Sequence, residues 1–372
     1  MEHSHYLCNL IPISLFTLIV SIIPDAISDI KAFKDLKELK ELVDADEGKV
    51  VEFVTQKREI YERGQYIGKG KVEEVNNILE SQHIDVIVLN GIVNPNNIFD
   101  MKTIWQKVNP QIEVWDRVDL ILNIFSRHAR TAGAKLQIEL AAMRHMGPRI
   151  YGMGQVLSRQ GGSIGTRGIG ETNTELMKRH WREQIKSTKE RLEKLVQEKE
   201  RQIERRREKG LKTVSLIGYT NAGKTSLFNL LTRKKKLVQN ALFVTLDSSI
   251  GKIYSKTLNR EILISDTIGF INNLPTKLID AFKSTLMESV HADLLLQIID
   301  ISDEDNKQKI EVVENILKEL GIADKRRIFV FNKIDASNGI NKIELIEKYA
   351  KYNPQFISVR DNLGIDSLLS SF

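Results

Sequence analysis

The residues whose types and spacing suggest chemistry lie in the stretch GYTNAGKTSL, residues 218–227. The stretch fits the phosphate-loop pattern G-x-x-x-x-G-K-[S/T] at Gly218, Gly223, Lys224 and Thr225. Glycines there let backbone N–H groups turn toward a phosphate, the lysine reaches the β- and γ-phosphates, and the hydroxyl is placed to bind Mg²⁺. A chain of this length matches by chance roughly once in a hundred sequences, so the flanking elements must support the assignment.

The segments on either side of this loop have the expected character. KTVSLIG (212–218) predicts a buried strand that runs into the loop, and KTSLFNLLTRK (224–234) predicts a helix that begins at the lysine. A helix starting there adds the positive end of its dipole to the phosphate site. The order of strand, glycine loop and helix favours nucleotide binding over a chance glycine turn. We therefore expect the nucleotide to contact the whole loop: Gly218, Tyr219, Thr220, Asn221, Ala222, Gly223, Lys224 and Thr225.

A second candidate segment, DTIG (266–269), follows the predicted strand EILISDT and lies about forty residues beyond the loop, the usual relation in phosphate-loop enzymes. Asp266 is expected to hold Mg²⁺ through water, and the amide of Gly269 to contact the γ-phosphate. The intervening Thr267 and Ile268 are expected to border the nucleotide. Alone, Asp-x-x-Gly is a common turn, but its distance from the phosphate loop favours a functional role.

The segment NKID (332–335) predicts which base is bound. The carboxylate of Asp335 can accept hydrogen bonds from N1–H and the exocyclic amine of guanine, a donor pair that adenine lacks. Asn332 is expected near the six-position oxygen, the stem of Lys333 over the ring face, and Ile334 beside them. A simple helix cap is the alternative interpretation. Order and spacing favour GTP, and an ATPase is the least favoured reading.

Two further segments complete the expected nucleotide site. LFVTLDSSIG (242–251) supplies the candidate switch threonine, Thr245, whose hydroxyl would contact Mg²⁺ when the γ-phosphate is present. The expected contacts of this segment are Phe243, Val244, Thr245, Leu246 and Asp247. SVR supplies the candidate final base-contacting loop, at Ser358, Val359 and Arg360.

These segments together define the expected chemical roles. The catalytic candidates are Lys224, Thr245 and Gly269, and the metal candidates are Thr225, Thr245 and Asp266, the last through water. Phe270 stands where Ras-like enzymes place a water-orienting glutamine. Because a phenyl ring cannot orient water by hydrogen bonding, we expect slow intrinsic GTP hydrolysis that an external partner accelerates.

Composition and charge restrict the class of protein. Apolar residues make up 41% and charged residues 28%, as in ordinary soluble globular proteins, and the net charge is +6. Cys8 is the sole cysteine, so an intrachain disulfide is excluded and a reducing, cytoplasmic compartment is expected. The apolar run YLCNLIPISLFTLIVSII (6–23) lacks a preceding Lys or Arg and contains Pro12. A weak membrane anchor or a mis-chosen start codon would each explain it.

Periodicity divides the α/β chain into four parts. Residues 1–32 are predicted to be an apolar leader and 33–132 a small, mostly parallel α/β domain, with strands at 49–54, 85–90 and 112–117 and a helix at 71–81. Residues 133–210 are predicted to form a helical hairpin, and 211–372 a doubly wound nucleotide-binding domain with further strands at 294–300, 327–333 and 355–359.

The hairpin is predicted from two stripes of apolar residues. One lies on a helix over 135–146, and the other consists of Trp181, Ile185, Thr188, Leu192 and Leu195, which have the spacing of a coiled-coil seam. Between the helices, LSRQGGSIGTRGIGE (157–171) contains five glycines and is predicted to lack regular structure. Its Arg159 and Arg167 are the RNA-contact candidates. Residues 172–210 carry 13 Lys or Arg against 8 Asp or Glu, although most of these charges are expected to be a solvated helix face.

These motifs, with the upstream YIGKGKVEEV, DRVDLILNIFSRHART and KLQIELA, closely resemble the HflX family, bacterial GTPases of the translation-factor class. The resemblance runs from about residue 33 to the C-terminus. It implies an N-terminal α/β domain, a helical hairpin and a C-terminal GTPase domain, with Mg²⁺ as cofactor. It also implies binding to the large ribosomal subunit, with the glycine-rich loop reaching toward the peptidyl-transferase region, and a role in ribosome splitting or subunit biogenesis.

The chain departs from the family pattern at two places. The switch stretch usually reads Leu-Asp-Pro-Thr but here is LDSSIG, and the last guanine loop usually reads Ser-Ala-Lys but here is SVR. Two other functions stay open at this point. The altered switch and Phe270 leave a nucleotide-gated RNA-binding module with negligible hydrolysis, and the apolar run at 6–23 leaves a membrane-associated signalling GTPase. A monomer is expected in either case.

Overall fold

The computed structural model describes residues 15–58, 66–160, 173–234, 248–255, 259–272, 278, 285–337 and 341–372. These residues form two compact units. The first contains the described residues up to Arg127 together with Leu136–Leu192, and the second contains His128–Lys135 and the described residues from Glu193 to Phe372.

The first unit is built on a four-stranded sheet with the order β2-β1-β3-β4, in which every neighbouring pair is parallel. Its strands are β1 (Phe16–Ile23), β2 (Lys49–Lys57), β3 (Val86–Leu89) and β4 (Glu113–Asp116). The accompanying helices are α1 (Asp29–Ala45), α2 (Lys69–Ser81), α3 (Pro95–Trp105) and α4 (Arg117–His128). The predicted elements at 49–54, 71–81, 85–90 and 112–117 are confirmed, whereas α1 and α3 were not anticipated.

Residues 1–32 are predicted to be an apolar leader, and this prediction is wrong for residues 16–23. These residues form β1, which pairs with β2 on one side and β3 on the other. Leu18, Ile19 and Val20 are 0% exposed. A parallel strand covered on both faces has a continuous apolar sequence, so composition alone does not distinguish it from an anchor. Residues 6–14 lie outside the described part. Among the helices of the described residues, none is long and apolar enough to cross a membrane.

Two long helices follow the first sheet. They are α5 (Ala132–Gln160) and α6 (Asn173–Glu208). The helix predicted over 135–146 therefore continues to Gln160, and the prediction that 157–171 lacks regular structure is wrong for 157–160. Residues 157–160 contain no glycine, and extending an existing helix fixes one residue for each hydrogen bond gained. Arg159 is in this helix, whereas Arg167 lies outside the described residues.

The predicted antiparallel contact between the two helices is confirmed within the first unit. The indole N–H of Trp181 donates to the carbonyl of Met143 at 3.0 Å. The hydroxyl of Thr188 donates to the carboxylate of Glu139 at 3.4 Å. Later residues of α6 thus meet earlier residues of α5, as an antiparallel hairpin requires. The part of α6 from Glu193 onward belongs to the second unit, so this helix continues from one unit into the other.

The second unit contains a six-stranded sheet of order β10-β9-β8-β5-β7-β6, parallel except for the β6–β7 pair. Its strands are β5 (Thr213–Gly218), β6 (Ser249–Ser255), β7 (Arg260–Asp266), β8 (Leu294–Asp300), β9 (Arg327–Asn332) and β10 (Gln355–Phe356). Its helices are α7 (Lys224–Thr232), α8 (Met287–His291), α9 (Asn306–Glu319), α10 (Lys342–Lys348) and α11 (Ile365–Ser370). The doubly wound prediction is confirmed, and β6 was not anticipated.

The parallel register brings the predicted nucleotide segments to one edge of this sheet. Strands β5, β7 and β9 end at Gly218, Asp266 and Asn332. The carboxyl ends of parallel strands form the crevice in which open α/β sheets bind ligands. The sheet core, which includes Leu216 and Val330 at 0% exposure, fixes the positions of those ends.

Candidate nucleotide-binding site

The phosphate loop takes a backbone path that only glycine accommodates at both ends of the motif. Gly218 and Gly223 have φ angles of +145° and +96°. A Cβ on Gly218 would lie 2.4 Å from the carbonyl oxygen of Ile298 on β8. A Cβ on Gly223 would lie 2.3 Å from the Asn332 side-chain nitrogen. The two glycines therefore allow the loop to approach β8 and the base-recognition segment closely.

Lys224 begins α7 with its side chain buried beneath the loop. Its Nζ donates hydrogen bonds to the carbonyls of Gly218 at 3.1 Å and Tyr219 at 2.6 Å. Burial lowers the pKa of Lys224 to about 8, although the charge of Asp266 opposes this shift. The buried amine of Lys224 therefore loses part of its preference for the charged form, and a bound phosphate would restore it.

Thr225 and Asp266 meet beside this lysine. The hydroxyl of Thr225 donates to the carboxylate of Asp266 at 3.1 Å, across the ends of two different elements. A hydroxyl oxygen and a carboxylate oxygen so close together are ligands of the hard type that Mg²⁺ prefers. The residues present therefore fit a magnesium ion. The third metal candidate, Thr245, lies outside the described residues, as do Phe243, Val244, Leu246 and Asp247.

The DTIG segment runs against the phosphate loop. The Thr267 hydroxyl donates to the carbonyl of Leu216 at 2.6 Å. A Cβ on Gly269 would lie 2.7 Å from Thr220 Cγ2 and 3.0 Å from Lys224 Nζ, so glycine is required where this segment passes the lysine. The neighbouring Ile268 is buried, 4% exposed. The DTIG segment therefore lies close enough to the phosphate loop for its backbone amides to contact the same phosphate.

Phe270, the residue after DTIG, is 1% exposed. Its N–H donates to the carbonyl of Gly218 at 3.1 Å, and its carbonyl accepts from the N–H of Thr220 at 2.8 Å. The backbone of Phe270 therefore extends the contact with the loop while its ring is buried. An apolar ring offers no hydrogen bond to a water molecule.

The Asn332 side chain connects two loops of the site. Its Nδ2 donates to the carbonyl of Ala222 at 2.9 Å, and its Oδ1 accepts from the N–H of Val359 at 3.2 Å. The side chain is buried and joins the phosphate loop to the last base-contacting loop. The contact of Asn332 with the six-position oxygen of guanine stays a prediction beside these two bonds. This amide holds loops together, a role that its local sequence does not reveal.

Asp335 lies at an exposed position next to Ser358. The hydroxyl of Ser358 donates to the Asp335 carboxylate at 2.6 Å, and this bond is the main cause of a lowered pKa of Asp335. The charges of Arg360 and Lys333 lower it further. The carboxylate is thus kept ionised, as an acceptor of two guanine N–H groups must be. Ser358, from the least distinctive predicted segment, is brought directly to the base-reading residue.

Lys333 is also fixed by a partner that the motif does not name. Its backbone φ is +65°, and its Nζ forms an ion pair with Asp300 at 2.6 Å. Asp300 ends β8, the strand next to β9. Ile334 follows in a short 3₁₀ turn, Ile334–Ala336. The structure therefore brings the whole NKID segment to the carboxyl edge of the sheet beside the phosphate loop.

A separate cluster of charged residues lies in the first unit. Asp116, Asp119 and His145 have ligand atoms within 4.8 Å of one another, as a metal site would require. However, the Arg149 guanidinium contacts the Asp116 and Asp119 carboxylates at 3.1 and 2.6 Å. Burial opposes a raised pKa of His145, but the bonds and charges of Asp116 and Asp119 raise it to about 9. Two cations thus already balance the two carboxylates, and the cluster joins α5 to β4 and α4.

The second unit, with its phosphate loop, DTIG and NKID segments at one edge of a doubly wound sheet, is that of a phosphate-loop GTPase. Three family models match successive parts of the chain. They are a GTP-binding GTPase N-terminal region at 34–126, a GTP-binding GTPase middle region at 128–206 and a 50S ribosome-binding GTPase at 213–333.

Comparison with known proteins agrees with this class. GTPase HflX of Caldanaerobacter subterraneus is 39% identical over 338 residues, which cover 90% of this chain and 76% of the relative. GTPase HflX of Alkalihalophilus pseudofirmus is 38% identical over 82% of this chain and 71% of that protein. The crystal structure of a GTP-binding protein from Sulfolobus solfataricus in complex with GDP is 25% identical, covering 95% of this chain and 96% of its own, with a TM-score of 0.51. The chain belongs to the HflX family of GTPases.

Proposed function

We propose that this GTPase binds the large ribosomal subunit in its GTP form, hydrolyses GTP slowly when free, and is accelerated by the subunit. The observation that carries the proposal is the matched 50S ribosome-binding GTPase region together with the buried, apolar Phe270 directly after DTIG. A site without a polar residue to orient water at that position depends on an outside group to complete it. The protein is proposed to act as a cytoplasmic monomer.

The contacts of the site support the following nucleotide roles. Lys224 and the N-terminus of α7 would hold the β- and γ-phosphates, and the amide of Gly269 would contact the γ-phosphate. Asp335, kept ionised by Ser358, would read guanine. Thr225 would hold Mg²⁺ directly and Asp266 would hold it through water, with Thr245 added when the γ-phosphate is present. Bound Mg²⁺ would neutralise charge that develops on the phosphate oxygens during transfer.

The proposed cellular role is the splitting of ribosomes or the assembly of the large subunit. Co-sedimentation with small subunits, large subunits and intact ribosomes, in GDP and in a non-hydrolysable GTP analogue, tests the partner. Binding to large subunits only with the analogue supports the proposal, and equal binding in both nucleotides contradicts it. Loss of light scattering from intact ribosomes would favour splitting, whereas preferential binding to immature large subunits would favour assembly.

The RNA-contact candidates Arg159 and Arg167 supply a second arm of the same experiment. Glycines between them raise the conformational-entropy cost of ordering that segment, and contacts with a partner would offset this cost. The double variant Arg159→Ala/Arg167→Ala should keep its affinity for GTP and its melting temperature. Its large-subunit affinity should fall and depend less on salt, since two cations no longer contact phosphates. A double variant that melts early but binds subunits normally would make these arginines structural.

A further inference from the structure

The second residue of the phosphate loop, Tyr219, forms a contact that reaches past the DTIG segment. Its hydroxyl accepts a hydrogen bond from the backbone N–H of Asn272 at 2.6 Å. Fifty-three positions separate the two residues in sequence, and Tyr219 itself is 7% exposed. Backbone bonds between the loop and Phe270 hold the start of this segment. The hydrogen bond to the Tyr219 hydroxyl attaches the segment to the loop two residues further along, at Asn272.

The tyrosine ring is itself held in position by a cation. The Nζ of Lys309 lies 4.9 Å from the centroid of the Tyr219 ring, at cation–π distance. Lys309 is on α9 and forms an ion pair with Asp303, in the segment that precedes this helix. The Asp303 carboxylate also accepts the N–H of Asp305 at 2.8 Å. The side chain of Tyr219 is therefore fixed at its ring by α9 and at its hydroxyl by Asn272.

Gly269 directly precedes the two attached residues, Phe270 and Asn272, and lies next to the phosphate-binding lysine. A Cβ at Gly269 would be 3.0 Å from Lys224 Nζ, so the Gly269 backbone already borders the place where the γ-phosphate is expected. The N–H of Gly269 lies in the peptide that joins Ile268 to Gly269, and a shift of the chain from Gly269 to Asn272 would turn that peptide away from that place. The backbone bonds of Phe270 restrain this shift at the near end of the segment, and the hydroxyl of Tyr219 restrains it at the far end.

We infer that Tyr219 is a positioning residue for GTP hydrolysis: its hydroxyl holds the chain after DTIG so that the Gly269 amide is aimed at the γ-phosphate. This inference depends on the nucleotide site proposed above. The γ-phosphate is present in GTP and absent in GDP, so the effect of Tyr219 belongs to GTP alone. A small misplacement of a group that contacts the reacting phosphate has a large effect on rate.

The test is the variant Tyr219→Phe, which keeps the ring and its cation contact and removes only the hydroxyl. Single-turnover GTP hydrolysis should fall about tenfold, and the affinity for a non-hydrolysable GTP analogue should fall relative to that for GDP. GDP affinity should stay within twofold of the parent, and the melting temperature should fall by no more than a few degrees, since only the Asn272 N–H loses a partner. The matched control is Tyr254→Phe, since the Tyr254 hydroxyl donates to Asn259 on the exposed edge of the same sheet. That control should hydrolyse GTP at the parent rate.

Two outcomes would overturn the inference. One is a Tyr219→Phe protein that hydrolyses GTP and prefers the GTP analogue over GDP as the parent does. The other is a variant that loses GDP affinity and thermal stability in proportion to its rate, which would make the hydroxyl merely structural. The variant Lys224→Ala distinguishes a failure of the Tyr219 inference from a failure of the proposed nucleotide site. If Lys224→Ala still hydrolyses GTP, the site assignment is wrong; if it does not, a normal Tyr219→Phe rejects only the role of Tyr219.

Discussion

The side chain of Asn332 donates a hydrogen bond to the backbone carbonyl of Ala222 at 2.9 Å, across 110 positions of sequence. The same side chain accepts the N–H of Val359 at 3.2 Å. The base-recognition segment is thereby attached to the phosphate loop and to the last guanine loop. Binding of the base and binding of the phosphates consequently depend on one buried amide.

Replacing this amide should affect both halves of the nucleotide. In Asn332→Ala, the carbonyl of Ala222 and the N–H of Val359 lose a buried partner, which should lower the unfolding free energy by roughly 2 kcal/mol. GTP and GDP affinities should fall together, since neither loop is held. Isothermal titration and thermal melting measure the two effects. Asn341→Ala is the matched control because Asn341 only caps α10 at an exposed position. Parental GDP affinity in Asn332→Ala would contradict the linking role.

Asp335→Asn should change which base is bound. The amide offers a donor where the carboxylate accepted guanine N–H groups, so affinity for GTP should drop by about two orders of magnitude and xanthosine triphosphate should become the better ligand. Competition binding with the two nucleotides measures this exchange. If Asp335→Asn binds GTP as tightly as the parent, Asp335 is not the guanine reader.

The buried lysine should make nucleotide binding depend on pH. Burial, opposed by the charge of Asp266, lowers the pKa of Lys224 to about 8, so above that value the free protein increasingly carries a neutral amine. Phosphate favours the ammonium, so GDP binding near pH 9 should take up a proton and weaken as pH rises. Calorimetry in two buffers of different ionisation enthalpy measures the uptake. Near pH 7 the uptake should be only about a tenth of a proton per GDP bound, and the absence of larger uptake near pH 9 would contradict the role of Lys224.

The first unit should lose stability at alkaline pH through His145. Burial opposes the shift, but Asp116 and Asp119 raise the pKa of His145 to about 9, above the ordinary value of about 6.5 in an unfolded chain. The stabilisation is therefore fully present below about pH 6.5 and is lost as pH rises through about 9, by on the order of 3 kcal/mol. The guanidinium of Arg149 also pairs with both carboxylates.

Urea unfolding followed by tryptophan fluorescence isolates this effect. The three tryptophans, Trp105, Trp115 and Trp181, all belong to the first unit. His145→Gln should flatten the pH dependence, whereas His83→Gln, at an exposed position of the same unit, should leave it as in the parent. An unchanged pH profile in His145→Gln would exclude His145 as the titrating group.

The parts of the structure that the sequence predicts are those specified by local spacing. The phosphate loop, Asp266 and Asp335 follow from short motifs whose chemistry fixes the residue types. The sequence does not predict the strand at Phe16–Ile23, because an apolar run has the same composition in a buried parallel strand as in a membrane anchor. The role of Asn332 and the contact of Tyr219 with Asn272 join residues 110 and 53 positions from their partners, and no local pattern encodes such distances.

The central claim is that this GTPase is completed by the large ribosomal subunit. Single-turnover hydrolysis of GTP, measured with and without purified large subunits and beside the Lys224→Ala variant, tests it most directly. We predict slow hydrolysis by the free protein, acceleration of about tenfold or more by large subunits, and no turnover in Lys224→Ala under either condition. Fast hydrolysis by the free protein that large subunits leave unchanged would contradict the claim.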